Sequence, residues 1–357
     1  MWQTRQFRSR LALICLIALG LRVLVCIELR DHPSVTDPRD ITDMATYQAL
    51  AGEIAAGEWP AEFYYQPFYY AVFLPGIYVT LGEQSWSVMA VQAVLSALAV
   101  WLTGLAGAHL WGRRAGLIGA AVLALSRLHI FYTPFTLIAL LMSLLVVLLV
   151  YVGVRAYRRP TVWRWGLFGL AGAIATLPRG NALLLVPGAL ALLFWRWRRK
   201  PLKAVMAAAV LVLALYAPQL PFAWRNLQAT GRWTGPSTAM EAVLGLGNTP
   251  QAPPGGLSPD YPDTYETWLS QARAPEPDRV PLAQNILDWV QREPLAYLEL
   301  KFRMFLLFWN HLEIPNNVAL QHEGRASRLV AAPFLLDFGI IGTLAVAGFL
   351  LALPRSR

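Results

Sequence analysis

Charge is scarce in this chain, and its scarcity excludes most soluble folds. Of 357 residues, 14% are Asp, Glu, Lys or Arg and 56% are hydrophobic. A soluble domain carries about a quarter charged residues. Cysteine is nearly absent. Cys15 and Cys26 are the only two, and on one helix their spacing is ~16 Å, beyond disulfide reach. The histidines (His32, His109, His129, His311 and His322) show no metal-ligand spacing. There is no Walker loop, HExxH, CxxC or GxSxG, so the usual nucleotide, zinc-protease, thiol-redox and serine-hydrolase signatures are missing. No internal repeat of the kind seen in inverted-repeat transporters is visible.

What is present is apolar sequence in blocks near the ~20 residues that cross a hydrocarbon core. This reads as an integral membrane protein. The net charge is +9, but the signs are segregated. Bases fall mostly in short clusters between apolar runs. Acids fall almost wholly in two long loops, 28–66 and 223–325. A nucleic-acid binder gathers its bases on one folded face; here they read as cytoplasmic anchors, and no nucleic-acid partner is expected.

The first apolar run, 11–27, follows the basic stretch RQFRSR. No small-x-small cleavage site follows, so it reads as an uncleaved span with a cytoplasmic N-terminus. The loop after it is then extracytoplasmic. Within that loop Thr42 caps a short helix running to Gly57, with Tyr47, Leu50, Ala51 and Ile54 on one face. The segment 68–81 is too short to span. Treating it as interfacial or re-entrant keeps Arg113/Arg114, Arg155–Arg164, Arg196–Lys203 and Arg355/Arg357 all inside. Further spans are expected at 87–111, 115–131, 134–154, 163–178, 181–197, 203–222 and 329–352. In the second loop, Leu282–Glu293 and Leu295–Trp309 read as helices, the latter amphipathic and lying on the surface.

The first loop holds Asp37, Asp40, Asp43, Glu53, Glu58 and Glu62. Asp43 stands at the start of the expected helix, where the helix dipole favours a carboxylate. It either accepts a proton from a hydroxyl or simply complements the helix end. Asp37 and Asp40 flank Pro38, a turn setting. Arg179, in LPRGN, is a lone base on the acidic side. A guanidinium fork suits a phosphate, though a headgroup anchor is equally consistent. Arg127, Arg225, Lys301 and Arg303 also fall near the outer interface and are candidates for a lipid phosphate. Asn310, His311 and Glu313 close an apolar run, where turn chemistry accounts for them as well as binding does. Tyr64, Tyr65, Tyr69 and Tyr70, with Trp59, form an interfacial aromatic belt or the floor of a sugar or lipid groove; Tyr47 and Gln66 adjoin them.

An Asp, a Tyr four residues on, a helix ending at Gly, then Pro and Tyr make up a recognisable order. Here the pieces are Asp43, Tyr47, Ala51, Gly57, Pro67 and Tyr70. With LWGRRAGLIGAAVLALS (110–126), LPRGNALLLVPGAL (177–190) and LFWNHLEIPNN (307–317), this resembles the polytopic glycosyltransferases of the C superfamily. The similarity is to the branch of protein O-mannosyltransferases and aminoarabinose transferases, with bacterial members like those of family 39. It covers most of 11–320. The resemblance implies sugar transfer on the outer membrane face, a polyprenyl-phosphate-linked sugar as donor, no cofactor or metal, and a first-loop aspartate as base, here Asp43. One departure is PFTLIALLMSLL (134–145), which lacks the acidic residue that relatives often carry.

The expected architecture is an all-α polytopic membrane protein of about eight spans. Residues 1–222 form a core that includes loop 28–81, 223–325 an outer loop or small domain, and 326–357 a last span. The expected function is an inverting glycosyltransferase of the bacterial inner membrane, acting on an extracytoplasmic glycan, lipid or protein hydroxyl. Two alternatives are a non-enzymatic transporter or flippase of lipid-linked saccharides, and a scaffold whose loop 223–325 binds a partner.

Overall fold

The computed structural model describes residues 2–255, 263–275 and 277–352. The expected inner cluster Arg355/Arg357 and the middle of the Pro- and Gly-rich run 250–263 lie outside them. The described residues are helical, with one isolated bridge between Ser126 and Leu336 and no strand. In order the helices are α1 (Trp2–Leu29), α2 (Pro33–Thr36), α3 (Asp43–Ala55), α4 (Leu74–Leu81), α5 (Ser85–Trp111), α6 (Arg113–Ala124), α7 (Arg127–Phe131) and α8 (Ala139–Arg158). Then follow α9 (Val162–Thr176), α10 (Leu185–Arg196), α11 (Pro201–Tyr216), α12 (Leu220–Thr230), α13 (Met240–Leu246), α14 (Asp263–Arg273), α15 (Leu282–Arg292), α16 (Pro294–Phe308) and α17 (Phe338–Ala352). A π-helical stretch, Phe68–Phe73, leads into α4, and a 3₁₀ stretch, Gly180–Leu184, leads into α10.

This is an all-α polytopic membrane protein. Among the described residues, Arg5–Leu29, Ser85–Trp111, Ala139–Arg158 and Pro201–Thr230 are long and apolar enough to cross a membrane. Each remaining expected span has a shorter helical counterpart in α6, α9, α10 and α17. Three expected spans are broken or start late. Expected span 115–131 breaks at Leu125, where the backbone turns to pair with Leu336. Span 134–154 starts only at Ala139. Span 329–352 is helical only from Phe338, because 327–337 is held by α1 and α7 instead.

The chain forms two compact units. One is Met1–Pro236 with Asn317–Asp337; the other is Ser237–Asn316 with Phe338–Arg357. Residues 223–236 and 317–325, expected with the outer loop, therefore pack with the first unit. In that unit α3, α4, α5 and α8 share a core around Tyr69, Leu74, Leu141 and Leu145. A second core joins α8, α9, α10 and α11 around Trp165, Leu193 and Leu211. In the second unit α14, α15 and α16 meet around Trp289, Leu282 and Leu300, and Arg279 pairs with Glu241 at 2.9 Å.

Two features hold the first unit's helices together. One is close approach at glycine. Along α9, Gly166, Gly169 and Gly172 face α11, and a Cβ on Gly169 would stand 2.2 Å from the Leu211 carbonyl oxygen. Small residues let membrane helices approach until backbones touch. The other is a buried guanidinium. Arg22, fully buried in α1, donates to the Ser96 hydroxyl (2.9 Å), to the carbonyls of Leu123 (2.9 Å) and Ala124, and contacts His129 Nδ1 at 3.2 Å. It satisfies the last carbonyls of α6, where the expected span breaks.

Gly169→Ala is expected to force α9 and α11 apart and cost about 1–3 kcal/mol by overpacking. Gly188→Ala on α10 has open space around its new Cβ and is expected to be neutral or slightly stabilising. Thermal melting of the purified protein in detergent checks this. Equal midpoints for the two variants would contradict the close contact.

Candidate active site

Asp43 is the first residue of α3, as its sequence setting implies. Thr42, in extended conformation, caps the helix; its hydroxyl accepts from the Ala45 N–H (3.4 Å) and donates to the Arg39 carbonyl (2.6 Å). Asp43 is half-buried. Its N–H donates to Asn317 Oδ1 at 2.7 Å, and Asn317 Nδ2 donates to Asp43 Oδ2 at 2.9 Å. Among the described residues Asp43 Oδ1 has no hydrogen-bond partner. Asp37 and Asp40 are exposed and lie in the turn before the helix.

One turn on, Tyr47 shares the face of Asp43. Its ring lies edge-on to Tyr65 (6.2 Å) and Tyr69 (5.3 Å) and parallel to Tyr70 (6.3 Å). Burial pushes the Tyr47 phenol's pKa up, the Asp43 carboxylate raises it further, and the Arg179 guanidinium opposes them. Tyr47 is thus a neutral phenol at neutral pH, within electrostatic reach of one carboxylate and one guanidinium. Burial also raises the Tyr65 phenol, with Tyr64 and Asp43 adding to the rise. Tyr70 donates to the Tyr65 carbonyl at 3.3 Å. Gln66 is half-buried beside them. The fold therefore gathers Asp43, Tyr47, Tyr65 and Tyr70 at one aromatic wall, and Arg179 lies within electrostatic reach of Tyr47.

Arg179, in extended conformation, immediately precedes the 3₁₀ stretch before α10 and is exposed. Of the five candidate bases, its side chain alone has no hydrogen-bond or ion-pair partner among the described residues; its carbonyl accepts from the Ala182 N–H (3.2 Å). Arg127 pairs with Asp337 (2.9 Å) and donates to the Ala332 carbonyl (3.3 Å). Arg225 donates to the carbonyls of Pro60 (2.7 Å) and Trp59 (3.3 Å) and lies 6.0 Å from the Phe63 ring centroid. It thereby holds the loop that backs the tyrosines.

Lys301, Arg303, Asn310, His311 and Glu313 belong to the second unit. Lys301 donates to the Gly247 carbonyl (2.6 Å) and sits 5.0 Å from the Tyr297 ring centroid; burial lowers its ammonium pKa. Arg303 pairs with Glu299 one turn back at 2.5 Å. Asn310 accepts from the Leu312 N–H (3.4 Å), the turn chemistry expected there. His311 and Asn310 line a cavity of about 540 Å³ with Trp309 and α17. Glu313 is half-buried. Among the described residues, no three His, Cys, Asp or Glu side chains converge as a metal ion requires.

Sequence reasoning missed three polar residues. Asn317 is bound to Asp43 from 274 positions away. Asn226, fully buried, accepts from the Phe63 N–H (2.6 Å) and donates to the Gly235 carbonyl (3.0 Å). Arg22 is the third. A charge in mid-span is itself a signal, but the mean hydropathy of the run hides it. The other two carry no local signal.

Residues 65–222 match the family described as dolichyl-phosphate-mannose-protein mannosyltransferase. The matched segment is a little under half of the chain. It contains Tyr65, Gln66, Tyr70, Arg127 and Arg179, and it begins after Asp43. No significant match is found among curated proteins or among solved structures. The family match and the apolar helices together support a membrane glycosyltransferase of the C superfamily.

Proposed function

We propose that this protein transfers a sugar from a polyprenyl-phosphate donor to an acceptor hydroxyl on the extracytoplasmic face of a bacterial inner membrane. Asp43 is the base, and transfer inverts the anomeric carbon. The observation that carries the reading is that Asp43 opens α3 one turn before Tyr47, whose ring meets those of Tyr65, Tyr69 and Tyr70. A proton acceptor thus adjoins an aromatic wall, and the Arg179 guanidinium lies within electrostatic reach of Tyr47. The matched family's description names a lipid-phosphate mannose, which supports this class of donor.

In the reaction, the acceptor O–H gives its proton to the Asp43 carboxylate as its oxygen forms a bond to the anomeric carbon. The bond from that carbon to the phosphate oxygen breaks, and the lipid phosphate leaves with the electron pair. Arg179 meets the charge that develops there. Charge placed in advance where a transition state needs it is often the largest catalytic contribution. Tyr47 and Tyr65 offer the sugar an aromatic face, backed by the buried Tyr70. The acceptor is a glycan, a lipid or a protein. The extracytoplasmic assignment is supported by the segregation of acids and bases along the chain.

Asp43→Asn keeps a good helix-start residue, so folding is expected to survive. Turnover of a polyprenyl-phosphate sugar is expected to fall about 10²- to 10⁴-fold, while donor binding is retained. Near-normal transfer would contradict the base assignment. Movement of the donor across the membrane without transfer would favour a transporter.

Arg179→Ala is expected to weaken donor binding roughly 10- to 100-fold, the loss of one or two charge-assisted hydrogen bonds. Arg179→Lys is expected to recover part of this, since it keeps the charge and loses the fork. Equilibrium binding of a short-chain polyprenyl-phosphate mannose checks it. Unchanged affinity in Arg179→Ala would place the phosphate elsewhere.

A further inference from the structure

We propose that Asn317 is the positioning residue for Asp43, fixing which carboxylate oxygen receives the acceptor's proton. This rests on the reading of Asp43 as base. The amide's orientation follows from chemistry. The Asp43 N–H can only donate, so the oxygen of Asn317 must face it, at 2.7 Å. The Asn317 NH₂ group is then obliged to face Asp43 Oδ2, at 2.9 Å. One side chain thereby satisfies a first-turn N–H, which has no partner inside the helix, and ties down one carboxylate oxygen. Oδ1 is the oxygen left without a hydrogen bond among the described residues.

Asn317 is itself held firmly. It opens the segment 317–337, which crosses the first unit and is anchored along its length. Val318 is buried in a core with Leu29, Val35 and Met44. Glu323, also buried, accepts from the Ala319 N–H at 2.7 Å and from the Ser34 hydroxyl at 3.4 Å. Glu28, near the end of α1, accepts from the Ser327 hydroxyl and from the Leu329 N–H at 3.1 Å. At the far end Leu336 exchanges backbone hydrogen bonds with Leu125 (2.9 Å) and Arg127 (3.0 Å), and Asp337 pairs with Arg127. The clamp on Asp43 is therefore referred to α1 and α7, not to a free loop. A catalytic group needs such support, because small misplacements of reacting atoms cost large factors in rate.

The choice of amide matters. An aspartate at 317 would still accept the Asp43 N–H, but it could not donate to Oδ2 and would set two carboxylates against each other. An alanine would free both oxygens of Asp43 to rotate.

The test uses the full-length protein in detergent with the polyprenyl-phosphate sugar that the wild type turns over. Asn317→Ala is expected to lower kcat about 10- to 100-fold, with donor KM within twofold. Asn317→Asp is expected to lose at least as much. In an Asp43→Asn background, Asn317→Ala is expected to cost nothing further, because residues that act as one unit are not additive. If Asn317→Ala keeps kcat within twofold while Asp43→Asn is inactive, Asn317 does not position the base, although the base assignment stands. An additive loss in the double variant overturns the proposal in the same way. Near-normal transfer by Asp43→Asn would instead remove the base reading itself. Should Asn317→Ala fail to fold, the exchange Asp43→Asn/Asn317→Asp restores an amide–carboxylate pair. It is expected to recover thermal stability without activity; recovered activity would make the pair a structural clasp only.

Discussion

A guanidinium inside an apolar helix bundle must be satisfied by the bundle, because no water is there to do it. Arg22 meets that constraint in full. It binds Ser96, His129 and the last carbonyls of α6, and so ties α1, α5 and α6 together at the point where α6 ends. Because α6 stops at Ala124, the next residues leave the helix before α7. Leu125 and Arg127 then pair with Leu336 and anchor one end of the segment 317–337. The other end of that segment is Asn317, on Asp43. A chain of satisfied polar groups thus runs from the middle of the first span to the candidate base.

The same rule separates the bases. Arg127 and Arg225 are engaged with a carboxylate and with loop carbonyls, and both hold backbone in place. The Arg179 guanidinium has no hydrogen-bond or ion-pair partner among the described residues, and it lies within electrostatic reach of Tyr47. An exposed guanidinium without such a partner is available to a ligand. A pair of opposite charges that do not neutralise each other is what a reaction needs when it takes a proton at one point and releases an anion at another.

The local elements were legible because their signals are local. Thr42 and Gly57 bracket α3, the apolar periodicity of 282–293 is α15, and the run 295–309 is α16 within a residue at each end. The candidate carboxylate was readable from its place at a helix start. The break after Ala124 was not readable, since hydropathy continues across it and the cause is a partner 211 residues away, Leu336. The late start of α17 was partly readable, for Pro333 and Asp337 interrupt the apolar run. Asn317 was invisible as a functional residue. In sequence it closes a turn-rich stretch, and its partner is set only by tertiary packing. Arg22 stood in plain view, but averaging over an apolar window concealed it.

The most direct test of this account is a structure of the protein with a polyprenyl-phosphate sugar bound, determined with Asp43→Asn to halt turnover. The lipid phosphate is expected against the Arg179 guanidinium. The sugar is expected along Tyr47, with the anomeric carbon about 3–3.5 Å from an acceptor oxygen that also contacts the residue 43 side chain. A phosphate bound away from Arg179, or a sugar that does not approach residue 43, would contradict it.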